Sequence, residues 1–495
     1  MLFCGIDIGT SSVKVIIINE EGKIISSESQ NLPKSNYFYN EEGFQCHEQN
    51  PLDWWIALVT ILKKSMSNLE KQKLETRELS GINIVGTSGT IMAIDHNNEL
   101  LTNALMYNDG RAVKEAEEIN VCAEAHCNKL GYKFSAPFAL PKILWLMHNH
   151  PKITQKGKFI HCTDYIIGKM TDVYTKSDFS NTLKTGFDLV NLEWPEFIEE
   201  ILKIPIDNLP DVLKPGEYIA PVTEKIQILT GIPKDTPIYA GITDSSAGLI
   251  SSGAINVGDL FTMLGTTIVS KVITENLITD PKGRIYSHRF PTGTWLLGGA
   301  SNCGAGVLNE KFGRSNLSRL DSEVFKYSPT KAYIYPLAHQ GERFPFSNSY
   351  ANGFEVGTFK CKEHRYSAYI EGLCYVEKWM FDVLHDLGAK FKNSIFTAGG
   401  GTNSSTWMQL RANILNKEIL IPKIPEAAFG GAVIVASSAY FKGDLNKACK
   451  QLVKIKTKYS PNDSIIDIYN DEYRKFKDLI QEKVNTEWIQ PRNDT

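Results

Sequence analysis

The stretch Leu2-Phe3-Cys4-Gly5-Ile6-Asp7-Ile8-Gly9-Thr10-Ser11-Ser12-Val13 opens the chain and decides the fold of its first half. Its apolar residues predict a strand over 2–8, its glycine and hydroxyl residues a turn over 9–12, and residues 13–18 a returning strand. A third strand is expected over residues 23–28 after a second turn. The start of the chain therefore predicts a three-stranded meander.

The second half of the chain repeats this pattern. A strand is predicted over residues 260–264, followed by a Gly-Thr-Thr turn and a returning strand over 268–273. Gly9-Thr10-Ser11-Ser12-Val13 then matches Gly265-Thr266-Thr267-Ile268-Val269. Two short strings at corresponding places leave an ancient duplication and a coincidence equally open.

Length and composition limit the class of protein. A chain of 495 residues is too long for one core, so two large domains are expected. The net charge of −3 offers no basic excess to neutralise a phosphate backbone, so nucleic acid is not an expected partner. No apolar run reaches the ~18 residues of a membrane span, and Asp7 interrupts the first apolar run, which argues against a signal peptide. Nine irregularly spaced cysteines indicate reduced thiols and a cytoplasmic protein.

Asp244 is the candidate catalytic residue. It lies in Ala240-Gly241-Ile242-Thr243-Asp244-Ser245-Ser246-Ala247-Gly248, between a predicted strand end and a helix start made of small residues. The lack of bulk would let a small polar substrate reach the carboxylate, which can take a proton from an attacking hydroxyl. The alternative is an aspartate that only caps the following helix.

The two glycine-threonine turns are candidate phosphate-binding loops, because a tight hairpin directs backbone N–H groups outward into an anion-binding concavity. Asp7 would face the mouth of the first hairpin. A carboxylate beside a phosphate requires a cation between them, and Mg²⁺ is the usual one. The alternative is an ordinary hairpin in which Asp7 is a turn acid.

A third candidate loop is Gly399-Gly400-Gly401, which follows a predicted strand over residues 394–398 and precedes Thr402-Asn403-Ser404-Ser405 and a helix. A helix N-terminus after a glycine turn is a ready anion site, although a tight connection without a ligand is the alternative. No Gly-x-x-x-x-Gly-Lys-Ser/Thr run occurs, which excludes a P-loop.

Two further stretches are rich in small residues. The stretch 298–306, which contains Gly304, fits close packing and nucleotide approach equally well. Packing is the favoured interpretation of Gly430-Gly431-Ala432, which opens a helix predicted over residues 433–441.

These pieces in this order resemble the carbohydrate kinases of the FGGY family, and the likeness covers nearly the whole chain. The motifs are Gly5-Ile6-Asp7-Ile8-Gly9-Thr10-Ser11, Asp244, Leu264-Gly265-Thr266-Thr267 and Ala398-Gly399-Gly400-Gly401. The resemblance implies two ribonuclease-H-like (actin-like ATPase) α/β domains flanking a catalytic cleft. The expected divisions are a sugar-binding domain with the first phosphate loop over 1–246, an ATP-binding domain over 247–485 and a polar tail over 486–495.

The resemblance also implies roles for individual residues. ATP and Mg²⁺ are the implied cofactors, with Asp244 as the catalytic base and with Asp7 and Asp244 as magnesium ligands. The implied ATP-binding residues are Thr10, Gly265, Thr266, Gly304, Gly399, Gly400, Gly401, Thr402 and Asn403. The implied sugar-binding residues are Asp7, Ser11, Ser12, Val13, Lys14, Asp109 and Asp244. A solvated strand end remains the alternative for Lys14, and a loop brace with Arg111 the alternative for Asp109.

A finer match concerns the substrate. Glycerol kinases carry Arg-Glu, and typical xylulokinases Gln-Met-His-Gly, where this chain has Thr87-Ser88-Gly89-Thr90. The chain instead resembles the branch described as D-ribulose kinases, sometimes labelled xylulokinase-like, in residues 86–90, 106–112, 177–188, 286–289 and 298–302. This implies phosphorylation of a ketopentose, D-ribulose, at its terminal hydroxyl.

The alternatives are a kinase for D-xylulose or another polyol and, in another class, an actin-like ATPase or a sugar-sensing binding protein. A small-molecule sugar partner and a homodimer are family-level expectations.

Overall fold

The computed structural model describes residues 1–150, 153 and 157–488. They form two compact units, and the first comprises Met1–Ile255, His288–Gly293 and Glu426–Lys454. The second comprises Asn256–Ser287, Thr294–Pro425 and the chain from Ile455 onward. The expected boundary between residues 246 and 247 does not coincide with this division, because one continuous helix, Asp244–Ser252, spans it.

The first unit, called unit 1, contains thirteen complete strands and eleven helices among its described residues. Its strands are β1 (Leu2–Ile8), β2 (Ser12–Asn19), β3 (Ile24–Asn31), β4 (Asn36–Tyr39), β5 (Gln45–Gln49), β6 (Leu79–Gly86), β7 (Ile91–Ile94), β8 (Ala104–Leu105), β9 (Lys158–His161), β10 (Lys176–Asp178), β11 (Asp211–Leu213), β12 (Tyr218–Pro221) and β13 (Pro237–Thr243). Its helices are α1 (Pro51–Lys71), α2 (Val113–Cys122), α3 (Glu124–Leu130), α4 (Ala139–Asn149), α5 (Cys162–Thr171), α6 (Phe179–Thr182), α7 (Glu196–Glu200), α8 (Glu224–Thr230), α9 (Asp244–Ser252), α15 (Ala427–Ala439) and α16 (Leu445–Leu452).

The main sheet of unit 1 has the strand order β12-β13-β6-β1-β2-β3. Strands β1, β6 and β13 run parallel, whereas β1, β2 and β3 form the antiparallel meander that the sequence predicts. A second sheet of unit 1 has the order β4-β5-β8-β7-β9. Because the carboxyl ends of parallel strands meet at one edge, residues that follow β1, β6 and β13 are brought together there.

The second unit, called unit 2, contains the remaining elements. Its strands are β14 (Leu260–Leu264), β15 (Ile268–Thr274), β16 (Tyr286–Arg289, which runs on into unit 1), β17 (Trp295–Ser301), β18 (Tyr333–Tyr335), β19 (Phe354–Val356), β20 (Ser394–Ala398), β21 (Glu418–Pro422) and β22 (Ile455–Tyr459). Its helices are α10 (Ala305–Phe312), α11 (Leu317–Asp321), α12 (Val324–Tyr327), α13 (Lys362–Asp386), α14 (Ser405–Leu415) and α17 (Ile466–Thr486).

The main sheet of unit 2 repeats the topology of unit 1. Its order is β16-β17-β15-β14-β20-β21-β22, in which β14, β20 and β21 are parallel and their outer neighbours antiparallel. The order β17-β15-β14-β20-β21-β22 therefore matches β3-β2-β1-β6-β13-β12 strand for strand, with the same relative directions. The repeat seen in the two Gly-Thr turns extends through both sheets, which favours duplication over coincidence.

The expected polar tail begins inside the unit 2 core. Helix α17 ends at Thr486, and Trp488 is 5% exposed and stacks on Phe346 with ring centroids 5.8 Å apart. An indole buried among aromatic rings holds this part of the chain in place. The rest of the expected tail lies outside the described residues.

Two properties expected from composition can be compared with the structure. Within the described part of the chain, no helix is both long and apolar enough to cross a bilayer. All nine cysteines are described and carry free thiols, as the irregular spacing predicts.

Within unit 1, helix α15 packs closely on α9 and β1 through glycines. A Cβ atom on Gly430 would lie 2.0 Å from the Ala247 carbonyl oxygen of α9, and one on Gly5 of β1 would lie 1.8 Å from the Ala428 carbonyl oxygen. Neither position can hold a side chain unless the backbone moves. The packing interpretation of Gly430-Gly431-Ala432 is confirmed, although the helix begins earlier than predicted, at Ala427.

Two helical glycines of unit 1 provide a matched test of this contact. Gly430→Ala should lower the free energy of unfolding by about 1–3 kcal/mol, because the methyl group overpacks the α9–α15 contact. Gly248→Ala, where an added Cβ meets no atom within 4 Å, should raise it by about 0.5–1 kcal/mol through helix propensity. Urea unfolding of both variants checks this, and equal effects would contradict the packing account.

Candidate active site

Two carboxylates lie at the carboxyl edge of the parallel strands in unit 1. Asp7 is next to the last residue of β1, and Asp244 directly follows β13 as the first residue of α9. Thr243, not Asp244, holds the N-cap position of α9. Asp244 is half-buried, and its Oδ1 accepts a hydrogen bond from the Ser245 backbone N–H at 2.6 Å. Asp244 therefore stays partly accessible at the edge where the sequence predicts a substrate.

Asp7 sits in an environment that disfavours its charge. The pKa of Asp7 is raised from its ordinary 3.8 to about 7, chiefly because the carboxyl is buried and also because of the charge of Asp244, with Glu426 adding to the rise and Lys14 opposing it. Its Oδ1 is buried and has no hydrogen-bond partner among the described residues. A cation at this position would satisfy that oxygen and relieve the repulsion between the two carboxylates.

Asp7 and Asp244 can serve as Mg²⁺ ligands, but two carboxylates cannot enclose the ion by themselves. The described residues contain no group of three or more His, Cys, Asp or Glu side chains that could enclose a metal ion. Mg²⁺ commonly takes only one or two carboxylates and completes its shell with water and phosphate oxygens. Asp7 and Asp244 fit that donor set, which depends on a bound phosphate.

The first hairpin turn has a shape fixed by backbone bonds. The Gly9 N–H donates to the Ser12 carbonyl at 3.0 Å, and the Gln49 side-chain amide donates to the Thr10 carbonyl at 2.7 Å. Ser11 is exposed, and Thr10 and Ser12 are half-buried. The turn therefore presents hydroxyl groups from a rigid backbone, as expected for an anion site.

Val13 and Lys14, which follow the turn, have different environments. Val13 is 0% exposed in the unit 1 core, because side chains alternate along β2 and Val13 points to the opposite face from Ser12 and Lys14. The Val13 side chain therefore does not face the site, and only the backbone of Val13 remains for the predicted sugar contact. Lys14 forms an ion pair with Glu426, the N-cap residue of α15, so it is not simply a solvated strand end.

Lys184 is a candidate that sequence reasoning missed. Its Nζ donates to the Ser88 carbonyl at 3.1 Å, and its stem packs on Gly89, where an added Cβ would lie 2.9 Å from the Lys184 Cδ. Burial lowers the pKa of Lys184, and the charge of Asp244 opposes that shift. Residues 177–188 resemble a branch of the family, but no local pattern in them marks Lys184 as a ligand-binding residue.

Lys142 joins two loops at the site. It is fully buried, and its Nζ donates to the Gly89 carbonyl at 2.6 Å and the Met106 carbonyl at 2.7 Å. Burial lowers the pKa of Lys142 to about 7. One side chain thus fixes the loop after β6 against the loop after β8.

Asp109 has a bracing role. Its side chain is 0% exposed, and its two oxygens accept bonds from Arg111 Nε and Nη2 at 2.9 and 2.8 Å and from the His47 backbone N–H at 2.7 Å. Arg111 also pairs with Glu48 at 2.7 Å and lies over the Trp145 ring. The prediction that Asp109 contacts the sugar is corrected, because its carboxylate has no exposed surface and is occupied by the loop.

The candidate nucleotide residues of unit 2 gather at the carboxyl end of β14. The Gly265 N–H closes its turn on the Thr267 carbonyl at 3.0 Å, and the Ala305 N–H at the start of α10 donates to the Gly265 carbonyl at 2.9 Å. A Cβ on Gly304 would lie 2.3 Å from the Thr266 carbonyl oxygen. Gly304 therefore lets the start of α10 rest directly on the Gly265-Thr266 turn.

The glycine turn after β20 packs on the same strand end. Gly399 has a φ of +96°, and a Cβ there would lie 2.5 Å from the Leu264 carbonyl oxygen. Gly400, in contrast, faces open space, with no atom within 4 Å of an added Cβ. The Thr402 hydroxyl donates to the Gly399 carbonyl at 2.8 Å within a short 3₁₀ turn over Gly400–Asn403. Unit 2 thus combines tight packing at Gly399 with an open glycine surface at Gly400.

Comparisons with known proteins cover both units. The model for the FGGY family of carbohydrate kinases, N-terminal domain, matches residues 2–251, and that for the C-terminal domain matches residues 260–440. A xylulose kinase of Bacillus subtilis is 24% identical over 96% of this chain and 97% of its own length. A gluconokinase of the same organism is 27% identical over 92% and 91%, respectively. The ligand-bound crystal structure of xylulose kinase from Lactobacillus acidophilus superposes with a TM-score of 0.85 at 22% identity, covering 98% of this chain and 99% of that one.

The elevated pKa of Asp7 predicts a specific pH dependence of stability. Because the folded-state pKa of about 7 exceeds the ordinary 3.8, the folded protein holds the extra proton, and Asp7 costs stability progressively as pH rises between these values. The melting temperature of Asp7→Asn minus that of the wild type should therefore increase from pH 5 to pH 8. Asp172→Asn, at an exposed helix end of the same unit, is the control for the removal of a carboxylate from the surface. A difference for Asp7→Asn that does not vary with pH would rule out the desolvated carboxylate.

Proposed function

Because the chain belongs to the FGGY family of carbohydrate kinases, we propose that it transfers the γ-phosphoryl group of ATP to the terminal hydroxyl of a ketopentose, D-ribulose. The product would be D-ribulose 5-phosphate. The observation that carries the proposal is the half-buried Asp244 carboxylate at the parallel-strand edge, beside Asp7 and within the charge field of Lys184.

Asp244 acts as the general base. Its carboxylate accepts the proton of the terminal hydroxyl as that oxygen forms a bond to the γ-phosphorus, and the bond from the γ-phosphorus to the bridging oxygen of ADP breaks. Phosphoryl transfer needs mostly positioning and charge neutralisation, so a single well-placed acid is sufficient protein chemistry. Mg²⁺, when bound, neutralises phosphate oxygens, and Asp7 and Asp244 are the residues that would hold it.

The sugar is bound by groups around that carboxylate. Ser11, Ser12 and Lys14 offer hydroxyl and ammonium donors at the first hairpin. An ammonium has three donors, and the bond to the Ser88 carbonyl uses only one of those on Lys184. We assign Lys184 to a sugar oxygen near Asp244.

The nucleotide is bound by backbone donors and hydroxyls. As the family likeness implies, Thr10 and the Gly265-Thr266 turn are assigned to phosphate oxygens. Gly304 and the 399–403 segment are assigned to the adenosine, where the open surface at Gly400 suits close approach of a flat ring.

D-Xylulose is the second candidate substrate, because several similar proteins are named xylulose kinases. The preference for D-ribulose comes from Thr87-Ser88-Gly89-Thr90, which replaces the Met-His pair of typical xylulokinases. A homodimer and a cytoplasmic location stay predictions.

Substitution of the base tests the mechanism. Asp244→Asn should fold, still bind ATP and lose at least ~100-fold in kcat, the low end for the loss of a general base. Turnover is measured by coupled ADP release and nucleotide binding by calorimetry. Retained turnover would remove Asp244 from the mechanism.

A substrate panel tests the activity itself. Coupled ADP release is measured with D-ribulose, D-xylulose, ribitol, glycerol and gluconate, and D-ribulose should give the highest kcat/KM. A higher kcat/KM for another sugar would replace the proposed substrate. ATP turnover independent of any sugar would favour an ATPase.

A further inference from the structure

A buried aspartate anchors the short helix that precedes Lys184. Asp178 is 0% exposed and caps α6: its Oδ1 accepts bonds from the backbone N–H groups of Ser180 and Asn181 at 2.8 and 3.2 Å. Its Oδ2 accepts a bond from the Asn181 side-chain amide at 2.6 Å, and the Ser180 hydroxyl also donates to Oδ1. These four bonds stabilise the Asp178 carboxylate.

The Ser180 hydroxyl links Asp178 to Thr243, the residue that precedes Asp244. Since its one proton is directed at Asp178, its oxygen is available as an acceptor, and the Thr243 backbone N–H donates to it at 3.0 Å. Thr243 is the N-cap residue of α9, and its hydroxyl bonds Ser246 in the first turn at 3.1 Å. The residue that follows this doubly held cap is Asp244.

The same anchor also leads to Lys184. Helix α6 runs directly into a 3₁₀ turn over Leu183–Thr185, and the far end of that turn is held by a hydrogen bond of 2.8 Å between the Thr185 hydroxyl and His161 Nε2. Lys184 therefore lies between two fixed points. The position of Asp178 therefore constrains the positions of both Lys184 and Asp244.

We propose that Asp178 and Ser180 are positioning residues for phosphoryl transfer, which hold Asp244 and Lys184 in register through α6 and the α9 cap. The proposal rests on the proposed function, in which Asp244 is the base. The pKa of Asp178 is raised to about 6, chiefly because the carboxyl is buried, whereas its bonds to Ser180 and Asn181 favour the ionised form.

Ser180→Ala is the most direct test. Loss of the hydroxyl leaves the Thr243 N–H without its acceptor and loosens the cap before Asp244. A displacement of about 1 Å at a reacting group can cost about 100-fold, so kcat should fall between about tenfold and 100-fold. The KM values for sugar and ATP should change much less than kcat, because every group assigned to binding is retained in the variant. Ser180→Thr, which keeps the hydroxyl, should recover most of the loss.

The matched control is Ser251→Ala in α9. Ser251 is equally buried, and its hydroxyl donates to the Gly248 carbonyl at 2.8 Å, away from the cap. This variant should keep the wild-type kcat. All rates are divided by the concentration of ATP-binding sites measured by calorimetry, so that a variant that merely unfolds in part shows an undiminished kcat per site.

The outcomes separate the two proposals. An undiminished kcat per site in Ser180→Ala, or a loss confined to KM, would overturn the positioning role while leaving the kinase activity intact. If Ser180→Ala does not fold, Ser180→Cys, which keeps a weak acceptor in nearly the same volume, should give an intermediate kcat, and a wild-type value would overturn the role. A wild type without sugar-dependent turnover would instead overturn the proposed function.

Discussion

The site of unit 1 depends on the repulsion between two carboxylates that the sheet places at one edge. Asp7 and Asp244 follow strands that are parallel and separated only by β6, so the topology brings them to the same end of the sheet. Burial and the charge of Asp244 raise the pKa of Asp7 to about 7. A stable fold does not require this arrangement, whereas a site for a cation and a charged phosphate does.

The surrounding structure holds these groups through buried polar contacts that do not themselves reach a ligand. Lys142 fixes two loops by their carbonyls, Asp109 braces Arg111, and Asp178 caps α6. Each is fully or almost fully buried and has several bonds, so each constrains backbone position at a site that must bind polar substrates.

The local sequence predicted the elements well and the long-range partners poorly. The meander, the Gly-Thr turns, and the positions of Asp7 and Asp244 follow from apolar runs and turn residues, which act over a few positions. The Lys14–Glu426 pair joins residues 412 positions apart, so the local sequence does not predict it. Lys184 is placed at the site by the capped helix α6 that precedes it, and the residues around Lys184 do not predict that placement either. The family resemblance implies sugar contacts for Val13 and Asp109, whereas strand alternation buries the Val13 side chain and Arg111 occupies the Asp109 carboxylate. The local sequence does not predict the division into units, because His288–Gly293 and Glu426–Lys454 come late in the chain but belong to unit 1.

The central claim is that Asp244 deprotonates the sugar hydroxyl, and a crystal structure with D-ribulose, Mg²⁺ and a non-hydrolysable ATP analogue tests it most directly. The distance to measure joins the terminal hydroxyl oxygen of the sugar and the nearer Asp244 carboxylate oxygen. The account predicts about 2.6–3.2 Å, the reach of a general base. A sugar bound with that hydroxyl beyond hydrogen-bonding distance of Asp244, and against another acid or base, would contradict it.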